Sequence, residues 1–264
     1  MDIESYLRRI GYCGPREPTT ETLKQLHRAH MLAVPFENLD ILLGRPITLS
    51  LASFYDKIVQ HRRGGFCYEL NGLFGWLLEQ LGFTVVLLSA QVFNGDQPGP
   101  EFDHLVLLVE MEERLIADVG FGDSFLEPLR LDAGAEDVQY GCSYRLIESG
   151  TDRLLQRRRE STWESQYVFS LTPHQLAEFS TMCEHQQTSL ESAFKQKSLC
   201  SLATRDGRIT LSNNRLIVTA GGQRQEQMVA DEKAYRNLLK SKFGIEFKKG
   251  VCVDILIGLD VLPN

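Results

Sequence analysis

The stretch "RRGGFCYELNGLFGWLLEQLGF" sets a cysteine, Cys67, behind a glycine pair and at the start of a helical pattern. Two readings compete. Cys67 shares a helical face with Leu70, Phe74 and Leu77, the position of a small buried apolar residue. A helix's first turn also presents free backbone N–H groups and the positive end of its dipole, which stabilise a thiolate and make a thiol reactive. A nucleophilic thiol needs a base. Of six histidines (His27, His30, His61, His104, His174, His185), His104 is best placed, because it opens the strand-like run "HLVLLVEM". In "LIADVGFG", Asp118 stands at the end of the next strand candidate. If the two runs form a hairpin across "EER", the start of one lies beside the end of the other and His104 meets Asp118. The three would form a thiol–imidazole–carboxylate constellation, the carboxylate fixing the imidazole tautomer. Each residue also has a plain structural role open to it: core filler, satisfied buried histidine and turn former.

The elements that must position these residues follow from periodicity. Ile3, Tyr6, Leu7 and Ile10 recur at helical spacing, as do Leu23, Leu26, Ala29 and His30 until Pro35 stops the pattern. Ser50 caps a third helix with Phe54, Tyr55, Ile58 and Val59 on its face, ended by Gly64 and Gly65. The helix from Cys67 runs to Gly82. From Thr84 the pattern turns to strands: "TVVLLSAQVF", "HLVLLVEM", "RLIADV", "YRLIES", "RLLQRR" and "SQYVFSL". A helix is expected from Pro173 to about Met182, and a hairpin in "SLATRDGRITLSNNRLIVTA", where Asp206-Gly207 would supply positive φ angles. A last helix spans about Asp231 to Phe243. With no repeat and no low-complexity linker, three regions with soft boundaries near 85 and 185 are expected to pack as one body.

Composition narrows the function classes. A chain of 264 residues with formal net charge -7 lacks the cationic footprint of a nucleic-acid or anionic-membrane binder. Its apolar runs are too short to span a bilayer, and "MDIESYLRRIGYCGP" does not read as a secretory signal. Six scattered cysteines without a C-x-x-C pair suit neither a zinc ribbon nor a disulfide scaffold, so a reducing cytoplasm and no metal are expected.

Taken together, "HMLAVPFENLDI", "RGGFCYELN", the strand-opening His104 and "DVGFG" resemble the arylamine N-acetyltransferase family over most of residues 1 to about 130. The resemblance implies an α+β fold: an N-terminal helical bundle carrying the nucleophile (1–85), a central β-barrel carrying the histidine and aspartate (86–185) and a C-terminal α/β lid (186–264), around a papain-like Cys-His-Asp core. It makes Cys67 the acetyl-carrying nucleophile, His104 its base and Asp118 the orienting carboxylate. Acetyl-CoA would be the acetyl donor, and arylamines or hydrazines the acceptors, in a ping-pong reaction. Glu37 and Arg63 match a structural ion pair; Phe36, Tyr68 and Phe121 match cleft aromatics; Gly120 would let the acyl group or cofactor pass close to the backbone. In "TSLESAF" this chain has Leu190 where family members often carry proline. Thr188 and Ser189 are the expected coenzyme A contacts there, and Phe194 the expected cleft aromatic; turn backbones around Gly95 to Gly99 are a further place for coenzyme A. The rivals are a cysteine peptidase or transglutaminase-like enzyme, which uses the same triad order, and a binding protein with an inert Cys67.

Overall fold

The computed structural model describes residues 1–258 except Ala133 and Lys249, so residues 259–264 of the expected lid lie outside the described residues. Helices Ile3–Ile10 and Thr20–Ala33 begin on side-chain caps, Asp2 and Thr19, which accept the free N–H groups of Ser5 and Thr22. The second helix stops before Pro35 and buries Leu23, Leu26, His27, His30 and Met31. The helix Cys67–Gln80 is the centre of this unit: only Trp76 and its last residues escape full burial. Its first turn is closed by Glu69, which accepts the Phe66 N–H at 3.1 Å.

The third helix differs from expectation. Leu51–Tyr55 passes into a wider π-helical turn, Asp56–Gln60, and ends there, so Gly64 and Gly65 are not its stop. Their small size serves a backbone crossing. A Cβ on Gly64 would lie 2.0 Å from the Pro35 carbonyl oxygen, and the Glu37 N–H donates to the Gly65 carbonyl at 2.8 Å.

A nine-stranded antiparallel sheet follows. Its order is Leu129–Arg130, Leu115–Ala117, His104–Glu110, Thr84–Asn94, Thr162–His174, Asp152–Arg159, Cys142–Ser149 and Asp137–Gln139, with Gln97–Pro98 pairing beside Thr84–Asn94. Leu129–Arg130 approaches Cys142–Ser149, so the sheet curls into a nearly closed barrel. His104–Glu110 is buried on both faces, which explains its unbroken apolar run. Leu105, Leu107 and Val109 pack on the helices, while Val106 and Leu108 face the barrel interior with Leu88, Ala90 and Ile116. The sheet continues through Pro173 to His174, with a bulge between Phe169 and Pro173. The expected helix therefore starts later: a 3₁₀ turn, Leu176–Phe179, leads into Ser180–Thr188. A bulge is one place where a strand tolerates proline's missing N–H.

The second sheet joins Phe36–Glu37 to Leu199–Thr204, Gly207–Ser212, Arg215–Ala220 and Gln223–Met228, all antiparallel. Helix Glu232–Phe243 covers it through Tyr235, Leu239 and Phe243. Gly207 pairs with Thr204 inside the ladder, and neither Asp206 nor Gly207 has a positive φ. Gly207 is small for another reason: a Cβ would meet the Thr219 carbonyl oxygen at 1.9 Å. The edge strand Phe36–Glu37 brings an N-terminal aromatic against this sheet. Among the described residues no helix is long and apolar enough to cross a membrane.

Candidate active site

The hairpin anticipated across "EER" forms, with Leu107 opposite Ala117. Continuing that register sets Asp118 opposite Val106, two residues from His104 on the same face, and the His104 Nε2–H donates diagonally to Asp118 Oδ2 at 2.8 Å; both side chains are buried. The bond fixes the proton on Nε2 and leaves Nδ1 as the basic nitrogen. Asp118 Oδ1 is held as firmly, by the Asn71 amide at 2.8 Å and the Gly120 N–H at 3.0 Å. Burial alone would raise the Asp118 carboxyl. The interaction with His104, together with the Asn71 and Gly120 donors, outweighs burial and holds it below the ordinary carboxylate range.

Cys67 reaches this pair through its helix. Asn71, one turn beyond Cys67, also donates to the Leu105 carbonyl at 2.6 Å and accepts the Val119 N–H at 2.8 Å, so one side chain ties the helix to both strands. A Cβ on Gly120 would lie 2.9 Å from Cys67 Cα and 2.7 Å from Asn71 Nδ2. The space that Gly120 leaves open is therefore filled by the helix carrying Cys67. Sequence pattern alone does not single out Asn71. Its signal is a polar residue four positions from Cys67 on the largely apolar face of that helix.

Helix-start placement leads one to expect an acidic thiol, and burial reverses this. Cys67 is 3% exposed; burial, then the Asp103 carboxylate, pushes the thiol well above its ordinary range, while hydrogen bonding from the Leu105 backbone pulls it down. A lone thiolate is disfavoured here. Negative charge can gather on sulfur only as the proton moves to a neighbouring base, which leaves a pair of zero net charge and a far smaller desolvation cost.

The other expected residues divide into two groups. Phe36, Phe66 and Phe194 cluster, with Phe194 ring centroids 6.1 and 5.9 Å from the other two, and Phe121 stands 5.3 Å from the His104 ring. Tyr68 is in the core, packed on Phe66 and Phe179, and its hydroxyl donates to the Phe102 carbonyl at 2.7 Å, bracing the segment before His104. Thr188 closes the helix Ser180–Thr188 with its hydroxyl on the Glu184 carbonyl, and Ser189 follows it. Their segment is tied to the site by Gln186, which donates to Asp103, and by Ser192, whose hydroxyl donates to the Gln186 carbonyl at 2.9 Å and accepts the Phe194 N–H at 3.2 Å. Gly99, in the Gly95–Gly99 turn, lies against the same Asp103 carboxylate. Glu37 accepts from Arg63 Nε at 2.9 Å in a buried network with Asp40, Lys57 and Glu69. Asp123, missed in the sequence, is held by Arg157 at 2.8 Å and Arg208 at 3.0 Å, which ties the loop after Asp118 to the barrel and the second sheet.

Two buried histidines give the helix Thr20–Ala33 an acid-sensitive core. Burial lowers His27 from 6.5 to about 4, against raising effects from the Leu126 carbonyl, Asp118 and Glu127. Burial, with Arg9 and His27 adding repulsion, holds His30 well below its ordinary value, and His30 Nδ1 is bonded to the Tyr6 hydroxyl at 3.0 Å. The native state refuses protons that the unfolded chain accepts, so stability is full above about pH 6.5 and falls as pH drops toward 4. At about 1.4 kcal/mol per pH unit, His27 alone accounts for about 3 kcal/mol over that window. Glu69 and Asp103, raised by burial, act in the opposite sense over the lower part. Urea midpoints measured from pH 7 to 4.5 are expected to fall steeply, and His27→Phe should flatten the slope; an unchanged midpoint would contradict this.

Comparisons with known proteins identify the chain's relatives. The family model described as N-acetyltransferase matches residues 19–251. The chain is 38% identical to the arylamine N-acetyltransferase / N-hydroxyarylamine O-acetyltransferase of Salmonella typhimurium, over 92% of this chain and 88% of that protein. It is 35% identical to the arylamine N-acetyltransferase of Mycolicibacterium smegmatis, over 93% and 92%. In structure it is similar to the Salmonella typhimurium arylamine N-acetyltransferase, with TM-score 0.91 and 33% identity over 97% of this chain and 98% of that one. It is likewise similar to the Mycobacterium marinum enzyme solved in complex with CoA, with TM-score 0.86 and 33% identity over 92% and 93%. By these matches in sequence and structure, the chain belongs to the arylamine N-acetyltransferase family.

Proposed function

We propose that this protein moves an acetyl group from acetyl-CoA to arylamines and hydrazines through an acetyl-Cys67 intermediate. The observation that carries the reading is the His104–Asp118 pair at 2.8 Å, docked through Asn71 and Gly120 on the helical turn of Cys67. As the Cys67 sulfur attacks the thioester carbonyl, its proton passes to His104 Nδ1. Backbone N–H groups around Cys67 receive the developing oxyanion. The carbon–sulfur bond to coenzyme A breaks, coenzyme A leaves as the thiol with the proton from His104, and the acetyl group stays on Cys67. The acceptor then attacks. Arylamines and hydrazines are neutral near pH 7, so their lone pair is free; His104 takes one N–H proton as the amide forms and returns it to the departing Cys67 sulfur.

Water is the competing acceptor, and Phe36 with Phe194, and Phe121 beside His104, would supply apolar walls that limit it and a flat surface for an arylamine ring. Thr188 and Ser189 are our proposed contacts for coenzyme A, on the segment that Gln186 fastens to Asp103. In this reading residues 1–85 hold the nucleophile, 86–185 its base and carboxylate, and the segment from 186 the lid. Six free cysteines suit a reducing cytoplasm. Initial rates at several acetyl-CoA concentrations, with an arylamine varied, should give parallel double-reciprocal lines. Intersecting lines would mean direct transfer within a ternary complex and overturn the intermediate.

A further inference from the structure

The loop from Asp118 to Leu126 carries Gly120, Phe121 and Asp123, and both its ends converge on one side chain. His27 Nε2 accepts the Asp118 backbone N–H at 3.1 Å, and His27 Nδ1 is 2.9 Å from the Leu126 carbonyl. A carbonyl can only accept, so Nδ1 carries the proton and Nε2 the lone pair. The ring is fully buried, stacked on Phe125 at 5.6 Å and 16° and edge-on to Phe74 at 5.9 Å. A phenyl ring would fill that space without the cost of burying an imidazole. What a phenyl group lacks is the acceptor facing Asp118 and the donor facing Leu126.

We propose that His27 is a positioning residue of the triad: by taking the Asp118 N–H it fixes the peptide from which the Asp118 carboxylate is aimed at His104, and by its bond to Leu126 it sets the span of the loop behind it. The carboxylate is held from three directions at its oxygens, by His104, Asn71 and Gly120. His27 holds the backbone on which that geometry rests. It touches neither sulfur nor substrate and acts through Asp118. The role requires a neutral ring, and the depressed pKa described above supplies one at working pH. Asp118 and Glu127 are the acidic groups that act on the ring, and His30 its neighbour on the same helix.

The two ring nitrogens can be separated by substitution. A glutamine oxygen reaches the place of Nε2 and keeps the bond to Asp118, whereas an asparagine amide reaches only the place of Nδ1 and keeps the bond to Leu126. Each variant retains one of the two buried hydrogen bonds, and melting temperature reads whether each is folded. The first readout is the rate of Cys67 alkylation by iodoacetamide at pH 6, followed by peptide mapping, because it needs His104 and Asp118 but no acetyl-CoA. His27→Gln is expected within about 3-fold of the parent rate, and His27→Asn roughly 10- to 100-fold below it, the scale of a small misplacement of a catalytic group. The turnover number should fall in parallel, with KM for acetyl-CoA unchanged. In an Asp118→Asn background the difference between the two variants should vanish.

Equal rates for the glutamine and asparagine variants, or a difference that persists without the Asp118 carboxylate, would overturn the proposal. The unaltered protein gives an independent check: long-range ¹H–¹⁵N spectra at pH 7 should show His27 protonated on Nδ1, and protonation on Nε2 would refute the assignment. The turnover readout rests on the acetyl-transfer reading and the alkylation readout does not. A parent chain that alkylates at Cys67 yet never transfers acetyl would refute the reaction and leave the test of His27 intact.

Discussion

Replacing Cys67 by serine is expected to leave a folded protein whose acetyl transfer is lower by roughly five to six orders of magnitude, the scale on which triad enzymes lose activity without their nucleophile. The reason is local. Burial and Asp103 push the thiol up, so in the proposed reaction sulfur must give its proton to His104 as it attacks. A hydroxyl is far less acidic than a thiol, so the same transfer from serine starts from a much higher barrier. The volume change is small, and a serine hydroxyl can keep the contact with the Leu105 backbone. Steady-state rates, with circular dichroism to check the fold, decide the matter. Activity within a hundredfold of the parent would move the nucleophile elsewhere.

The second large effect concerns the carboxylate. Asp118→Asn is expected to keep the fold and lower turnover by roughly 10³- to 10⁴-fold. With Asp118 ionised, His104 places its proton on Nε2 and keeps Nδ1 as the free basic nitrogen. An amide at position 118 can offer its N–H to His104, and the imidazole then turns to the other tautomer, with the proton facing the thiol. The amide also loses the charge that stabilises the imidazolium, and its NH₂ opposes the Asn71 amide and the Gly120 N–H if it turns toward them. The test separates two roles: a folded variant with near-parent turnover would return Asp118 to a turn former, and a drop confined to KM would assign it to binding.

The contact of His104 with Asp118 could be read from the sequence because it is set by local structure. A hairpin of two apolar runs suffices to bring His104 to Asp118. The supports were hidden because they are contacts between distant segments. His27 and Asp118 are 91 positions apart and meet only when the helix Thr20–Ala33 packs against the barrel edge. Glycines mislead for the same reason. Gly64, Gly65 and Gly207 look like stops or turn formers, yet Gly64 and Gly207 are small because a carbonyl from another strand or loop passes across them. Burial also inverted one inference. The start of a helix argues for an acidic thiol, and only the fold reveals that the sulfur is almost wholly withdrawn from water. The pairing of Phe36–Glu37 with Leu199–Thr204, which carries an N-terminal aromatic toward Phe194, leaves no local mark in either segment.

The central claim is that Cys67 holds the acetyl group between two half-reactions, and the most direct measurement uses the protein with acetyl-CoA alone. Intact mass followed by peptide mapping should find one acetyl group, on the Cys67 peptide, and an added arylamine or hydrazine should remove it faster than water does. If saturating acetyl-CoA leaves Cys67 unmodified in a folded protein with His104 intact, the account is wrong.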